Sequence, residues 1–210
     1  MQTRFHPAIR VLHWTMAVLI IAMLFIGIGM VSTAGPAYAL LLAWHRPIGL
    51  AILLLAFVRL SVRLATGAPE LPADMPRIMK IAAKASHVLL YASMLVMPLI
   101  GWAMLSAGGY PIQITPNLVL PPILPLDGRV FGVLRLAHTW VAFAFFALIL
   151  GHLTAALFHR FARRDGVFSA MTFGGRTAEN AENSADVEGR AAYDGQPTSA
   201  LAPDQVSRLR

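Results

Sequence analysis

The chain has 210 residues, of which 57% are hydrophobic and 13% are charged, and its mean hydropathy is +0.65. Soluble domains carry about 25% charged residues, so this composition excludes an ordinary soluble domain. The absence of cysteine excludes disulfides, cysteine-bound iron–sulfur clusters, c-type haem attachment and thiolate haem ligation. The formal net charge of +7 comes from basic residues that flank apolar runs, which indicates membrane topology and not nucleic-acid binding.

Four apolar runs are long enough to cross a bilayer, for which about 20 residues suffice. They cover residues 11–31, 39–62, 79–105 and 131–157. A spanning segment must satisfy its own backbone hydrogen bonds, so each run is predicted to be a helix. The sequence therefore predicts an all-α fold, an integral membrane four-helix bundle over residues 1–173. Residues 174–210 contain few large apolar side chains and are predicted to form a disordered cytoplasmic tail.

The first run follows two arginines and is longer than the apolar core of a signal peptide, which has about 7–15 residues. We therefore expect a retained span, although Ala37-Tyr38-Ala39 fits a cleavage pattern. Basic residues collect at the N-terminus, in the link after the second run, and after the fourth run. The second run itself closes with Arg59. The opposite side has only three arginines, which are Arg46, Arg129 and Arg135. The positive-inside rule therefore predicts that both termini are cytoplasmic.

Histidines occur at two depths of the predicted bundle. His138 and His152 of the fourth run are fourteen residues apart, so they share one helix face and lie about 21 Å apart along the axis. The predicted topology places His13 and His152 in the inner half of the bilayer, and His45 and His138 in the outer half. Ionisable residues within spans usually mark function. Facing imidazoles in a helical bundle suit the axial ligation of b-type haem, so we predict one haem for each pair.

Two other chemistries are alternatives to haem binding at the paired histidines, and three further histidines have roles of their own to consider. Zinc would require Asp, Glu or Cys ligands, and proton relays usually use carboxylates, which the apolar runs lack. His87 is an alternative inner ligand by depth, although a hydrogen-bonding role beside the cofactor is favoured. His159 lies seven residues after His152, either as an interfacial residue or as a hydrogen-bond donor to a quinone. His6 lies outside the spans and is expected to be inert.

Several motifs resemble bacterial cytochrome b561 over residues 4–165. They are Arg10-Val-Leu-His13-Trp14, Trp44-His45, the two histidines of the fourth run and Ser86-His87-Val-Leu-Leu-Tyr91. The resemblance implies a four-helix protein of the bacterial inner membrane with two haem b groups, in which the position of His87 is not a ligand. It also implies ubiquinone as the electron acceptor and, for some members, superoxide oxidation. The axial ligands implied by the motifs are His13, His45, His138 and His152.

The expected function is therefore membrane electron transfer to ubiquinone, with periplasmic superoxide as the electron donor. Arg46, Arg129 and Arg135 would then form a positive mouth that attracts the anion, although haem-propionate pairing or interfacial placement also explains arginines there. One alternative is a non-catalytic cytochrome b subunit between a dehydrogenase or hydrogenase partner and the quinone pool. A small transporter with histidine proton relays is another. The expected partners are the lipid bilayer, quinone and a redox protein, without nucleic acid.

Overall fold

The computed structural model describes residues 4–69, 71–115 and 117–172. These residues belong to one compact unit, Met1–Thr172. The predicted tail, residues 174–210, lies outside the described residues and stays a prediction. The elements in chain order are α1 (Pro7–Ser32), α2 (Pro36–Thr66), α3 (Arg77–Ala107), β1 (Ile112–Thr115), β2 (Leu118–Leu120), α4 (Gly128–Phe158) and a π-helical turn (His159–Arg163). The four long helices are apolar enough to cross a membrane, which confirms the all-α, four-helix membrane fold.

Each helix is longer than its apolar run because local sequence signals set its ends. Pro7 and Pro36 occupy the first turns of α1 and α2, where a missing N–H costs nothing. The His6 ring accepts a hydrogen bond from the Ala8 amide at 3.3 Å, so this residue caps α1. Asp127 caps α4 by accepting from the amides of the next turn at 2.8 and 3.1 Å.

The bundle buries a small apolar core and exposes most of its other apolar side chains on the surface that faces lipid. Helix α1 packs against α2, α3 packs against α4, and α2 also contacts α3. The core takes one buried side chain from each helix: Met16, Ala56, Met94 and Phe145. Phe145 lies seven residues from both His138 and His152. The core therefore forms a layer between the two histidine levels.

The link between α3 and α4 contains an antiparallel hairpin, β1 with β2, that the sequence did not predict. The link is fixed to the end of α3 by side chains. The Trp102 indole donates to the Pro121 carbonyl at 2.9 Å, and the Ser106 hydroxyl accepts from the Ile123 amide at 3.1 Å. The hairpin residues Leu118 and Val119 stay exposed. The link between α3 and α4 is therefore an ordered segment anchored on the end of α3.

The opposite end of the bundle is closed by the segment that follows the π-helical turn. The Phe5 amide donates to the Ala170 carbonyl at 3.2 Å. Arg10 donates from Nη1 to the Thr172 carbonyl at 3.0 Å, and the Trp14 indole donates to the Met171 carbonyl at 3.1 Å. The start of α1 and the segment after α4 therefore lie at the same end of the bundle.

Candidate functional site

The first histidine pair joins α2 to α4 near the hairpin. The ring centroids of His45 and His138 are 6.2 Å apart, with 60° between the ring planes. Both Nδ1 atoms are buried, and neither has a hydrogen-bond partner in the part of the chain that the structure describes. The Met97 backbone lies beside the His138 ring, but Nδ1 makes no hydrogen bond to it. An unsatisfied buried polar atom costs about 1–3 kcal/mol, so this pair has unused capacity for a ligand.

Glycine at one position of α3 gives the His138 ring its space. A Cβ atom at Gly101 would lie 3.4 Å from Cε1 and 3.7 Å from Nδ1 of His138. The first of these distances is tighter than most Cβ contacts, so a larger residue would push against the imidazole. Small residues in membrane helices allow such close approach. Gly101 therefore lies directly beside the His138 ring.

The second histidine cluster joins α1, α3 and α4 near the closed end. The ring centroids of His13 and His152 are 6.4 Å apart, and those of His87 and His152 are 5.6 Å apart. Arg59 of α2 also enters this cluster. Its Nη2 atom lies 3.3 Å from Nδ1 of His13, and its guanidinium carbon lies 5.2 Å from the centroid of the Tyr91 ring. Three imidazoles and one guanidinium thus meet within the bundle.

The spacing of the rings allows a test of whether haem fits. Two imidazoles on opposite sides of one metal ion have centroids about 6.3 Å apart, because each metal–nitrogen bond is about 2 Å long and each nitrogen lies about 1.1 Å from its centroid. The His45–His138 and His13–His152 distances fit this value, whereas the His87–His152 distance is shorter. Among the described residues, no group of three or more His, Cys, Asp or Glu could hold a metal ion. Iron whose other ligands come from a porphyrin suits such two-histidine sites.

Comparison with known proteins identifies the family. The model of the family described as prokaryotic cytochrome b561 matches residues 4–174. The chain belongs to this family. Cytochrome b561 homolog 1 of Escherichia coli (strain K12) is 27% identical over 169 residues, which cover 76% of this chain and 92% of that protein. Cytochrome b561 homolog 2 of the same organism is 26% identical over 162 residues, which cover 76% and 86%.

As a member of the cytochrome b561 family, this chain is a multi-pass bacterial membrane protein that functions in cytochrome b electron transfer. The cofactor of the family is haem b. The structure brings together in space the two histidine pairs that the sequence predicted. It places His87 beside His152, within the inner cluster. That the imidazoles of either pair hold haem stays a prediction.

In this member of the cytochrome b561 family, the three arginines predicted to form a positive mouth make no contact with one another among the described residues. Arg46 donates from Nη1 to the Pro111 carbonyl at 3.4 Å, next to β1. Arg129 and Arg135 are exposed on α4. Arg135 precedes His138 by three residues and shares much of its helix face, whereas Arg129 precedes it by nine and lies on the opposite face. A positive mouth formed by all three arginines stays a prediction.

A buried ion-pair network lies at the closed end and includes a residue that sequence reasoning missed. His159, in the π-helical turn, is 9% exposed, and its Nδ1 lies 2.7 Å from Oδ2 of Asp165. Arg163 donates from Nε to the same oxygen at 2.9 Å, and from Nη2 to the exposed Asp74 at 2.7 Å. The available signal was a single carboxylate directly after a cluster of arginines.

The environment of Asp165 shifts its pKa. Burial alone would raise the pKa, but hydrogen bonds from His159, Arg163 and the Val167 amide outweigh burial and hold it below the ordinary value. A carboxyl with a lowered folded-state pKa stabilises the fold above its unfolded pKa of about 3.9, and this contribution is lost as the pH falls through the folded pKa. The network therefore supports the closed end of the bundle at neutral pH.

Substitution of Asp165 tests this contribution. We expect Asp165→Asn to lower stability by about 1–3 kcal/mol at pH 7, because two donors lose their charged acceptor. The difference from wild type should be constant above about pH 5 and should shrink at lower pH, where wild type also loses the charge. Thermal unfolding of the purified protein in detergent, followed between pH 3 and pH 8, measures both.

The matched control is Asp74→Asn, which removes the exposed partner of the same Arg163. Exposed ion pairs contribute only about 0–1 kcal/mol, so this variant should unfold close to wild type. Equal effects of the two substitutions would contradict the assigned importance of Asp165.

Proposed function

We propose that this protein transfers electrons through the membrane to ubiquinone by means of two haem b groups, with superoxide on the periplasmic side as the electron donor. The observation that carries the proposal is the pair of two-histidine sites at two levels of one bundle. Haem b, when bound, supplies reversible one-electron iron chemistry at each level. The chain holds, orients and separates the two groups.

In this proposal His45 and His138 hold the outer haem, and His13 and His152 hold the inner haem. The two histidines of each pair lie on different helices, so a cofactor held between them would also link those helices. The core layer around Phe145 excludes water between the levels. Burial and axial imidazoles tune the reduction potentials of both groups.

The proposed orientation places both termini in the cytoplasm. The start of α1 and the segment after α4 share one end of the bundle, and the basic residues flanking the spans collect at that end. Such residues favour the cytoplasmic side of the inner membrane. The hairpin end is then periplasmic, and the outer haem is the one that superoxide approaches.

On the periplasmic side, the proposed task of Arg46, Arg129 and Arg135 is to attract superoxide. The exposed guanidinium groups of Arg129 and Arg135 create a positive field that acts at a distance, so direct contacts between them are not required. Arg46 follows His45 directly in the chain and is partly buried, which supports a position beside the proposed outer haem.

On the cytoplasmic side, His159 is the proposed proton donor to the quinone. Nδ1 of His159 faces Asp165, so Nε2 remains for a hydrogen bond to a quinone oxygen. Asp165 fixes the ring orientation, as carboxylates do for catalytic and metal-bound histidines. Reduction of a quinone consumes two protons, so a buried donor near the cytoplasmic boundary suits the reaction.

Haem quantification tests the ligand assignment. We expect two haem b per chain in the purified wild type, and about one in His138→Ala and in His152→Ala, because loss of one axial ligand releases one group. His87→Ala, which alters a neighbouring imidazole that is not a proposed ligand, should retain two. The measurement is the haem-to-protein ratio together with the reduced-minus-oxidised spectrum.

Wild-type protein with a single haem, or a His87→Ala variant that loses haem while His13→Ala retains both, would overturn this assignment.

Neutralisation of the outer arginines tests the donor. Arg46→Gln and Arg129→Gln should each slow the reduction of the protein by superoxide several-fold, within the 10–10³ range of electrostatic steering, and should flatten its dependence on ionic strength. The measurement is haem reduction after a superoxide pulse. Arg77→Gln, the same charge change at the cytoplasmic end, is the control and should leave the rate unchanged.

Unchanged rates in both outer variants would remove the steering role. A purified protein that does not react with superoxide, but co-purifies with a dehydrogenase, would favour the alternative function of an electron-carrying subunit.

Substitution of His159 tests the quinone site. His159→Ala should slow the oxidation of the reduced protein by a short-chain ubiquinone by about 10²-fold, which is the usual contribution of a general acid. Its haem content and its rate of reduction by superoxide should stay at wild-type values. The control is His6→Ala, a histidine at the same end that caps α1. Wild-type rates of quinone reduction in His159→Ala would assign this role to another residue.

A further inference from the structure

Arg59 is a cation in the interior of a membrane span. It lies seven residues before the end of α2, which corresponds to about 10 Å of helix. Arg63, one turn nearer the end, donates to the Gly67 carbonyl at 2.7 Å and stacks on the Phe5 ring at 4.8 Å, so its charge is satisfied at the boundary. Arg59 instead extends into the bundle towards His13.

The partners of Arg59 do not neutralise its charge. Its contacts are the His13 ring and the Tyr91 ring, and its Nε atom is buried without a hydrogen-bond partner among the described residues. None of the four long helices contains Asp or Glu. Unpaired cations at such depth are costly and are normally matched by an anion. The helices themselves cannot provide that anion.

The contact with His13 also conflicts with a ligand role for this histidine. An arginine N–H that donates to Nδ1 requires a lone pair there, which places the ring proton on Nε2. An imidazole that binds metal through Nε2 carries its proton on Nδ1 and must donate from it. Two donors would then face each other. Arg59 therefore needs another acceptor whenever His13 is a ligand.

We infer that Arg59 binds a propionate carboxylate of the inner haem, an inference that rests on the two-haem function proposed above. The porphyrin of haem b carries two propionates, so the cofactor itself brings the anion that the helices lack. A guanidinium pairs with a carboxylate through two parallel hydrogen bonds. Arg59 is then a positioning residue that fixes the rotation of the inner haem and keeps it easier to reduce.

The test compares Arg59→Gln, Arg59→Lys and the control Arg63→Gln in purified protein. In Arg59→Gln, we expect the reduction equilibrium of one of the two haems to fall about tenfold, which corresponds to about 59 mV for a one-electron couple. The propionate-bending band in the resonance Raman spectrum should shift as well. Arg59→Lys, which keeps the charge, should retain a potential near wild type, and Arg63→Gln should leave both readouts unchanged.

Two haems with wild-type potentials and an unshifted propionate band in Arg59→Gln would overturn the inference. If Arg59→Gln loses one haem, the haem content of Arg59→Lys is decisive. Retention of both haems in Arg59→Lys supports the propionate role, and loss of one haem overturns it. A wild-type protein without a second haem would instead refute the proposed two-haem function, so the two failures are distinguishable.

Discussion

Polar side chains in an apolar layer need partners that the layer cannot supply, and this constraint explains most of the bundle. Helices satisfy the backbone, so imidazole and guanidinium groups remain as the unmatched polar groups. The four long helices contain five histidines, and α2 also contains Arg59 and Arg63, but none of these helices contains a carboxylate. Among the described residues, Nδ1 of His45 and of His138 has no hydrogen-bond partner, and Arg59 has no acidic partner; both facts follow from that composition. In the proposed function, a bound haem would supply the carboxylate that Arg59 lacks.

Helix α4 determines the spacing of the two sites because both pairs use it. A fourteen-residue separation returns an α-helix almost to the same face, and Phe145 occupies the same face halfway between the two histidines. Met16, Ala56 and Met94 pack around this ring, so each helix contributes to the separating layer. Small changes in that layer would alter the relative position of the two levels without contact to either histidine pair. In the proposed function, the core layer would set the spacing of the two haems as well as stabilise the bundle.

Much of this arrangement follows from the sequence because hydrophobic length and helical spacing are local properties. The four spans and the proximity of His13 to His152 and of His45 to His138 were predicted in this way. Arg59 was interpreted as a flanking charge, because the sequence does not show whether a long side chain turns towards the boundary or into the bundle. Asp165 was missed since its contact with His159 depends on a π-helical turn, whose residues do not follow the 3.6-residue period. The hairpin was missed because its short strands pair only with each other and depend on anchoring by Trp102 and Ser106.

The two ends of the bundle differ in how far their charged side chains are exposed to solvent. At the hairpin end, Arg129 and Arg135 are exposed, so their field extends into the solution where a small anion diffuses. At the other end, His159, Asp165 and Arg163 are linked in a largely buried network beneath the segment that closes on α1. Buried charges of this kind act over short distances, whereas exposed charges act on solutes at a distance. In the proposed function, the exposed arginines would attract superoxide from solution, and the buried network would act on a quinone bound beside it.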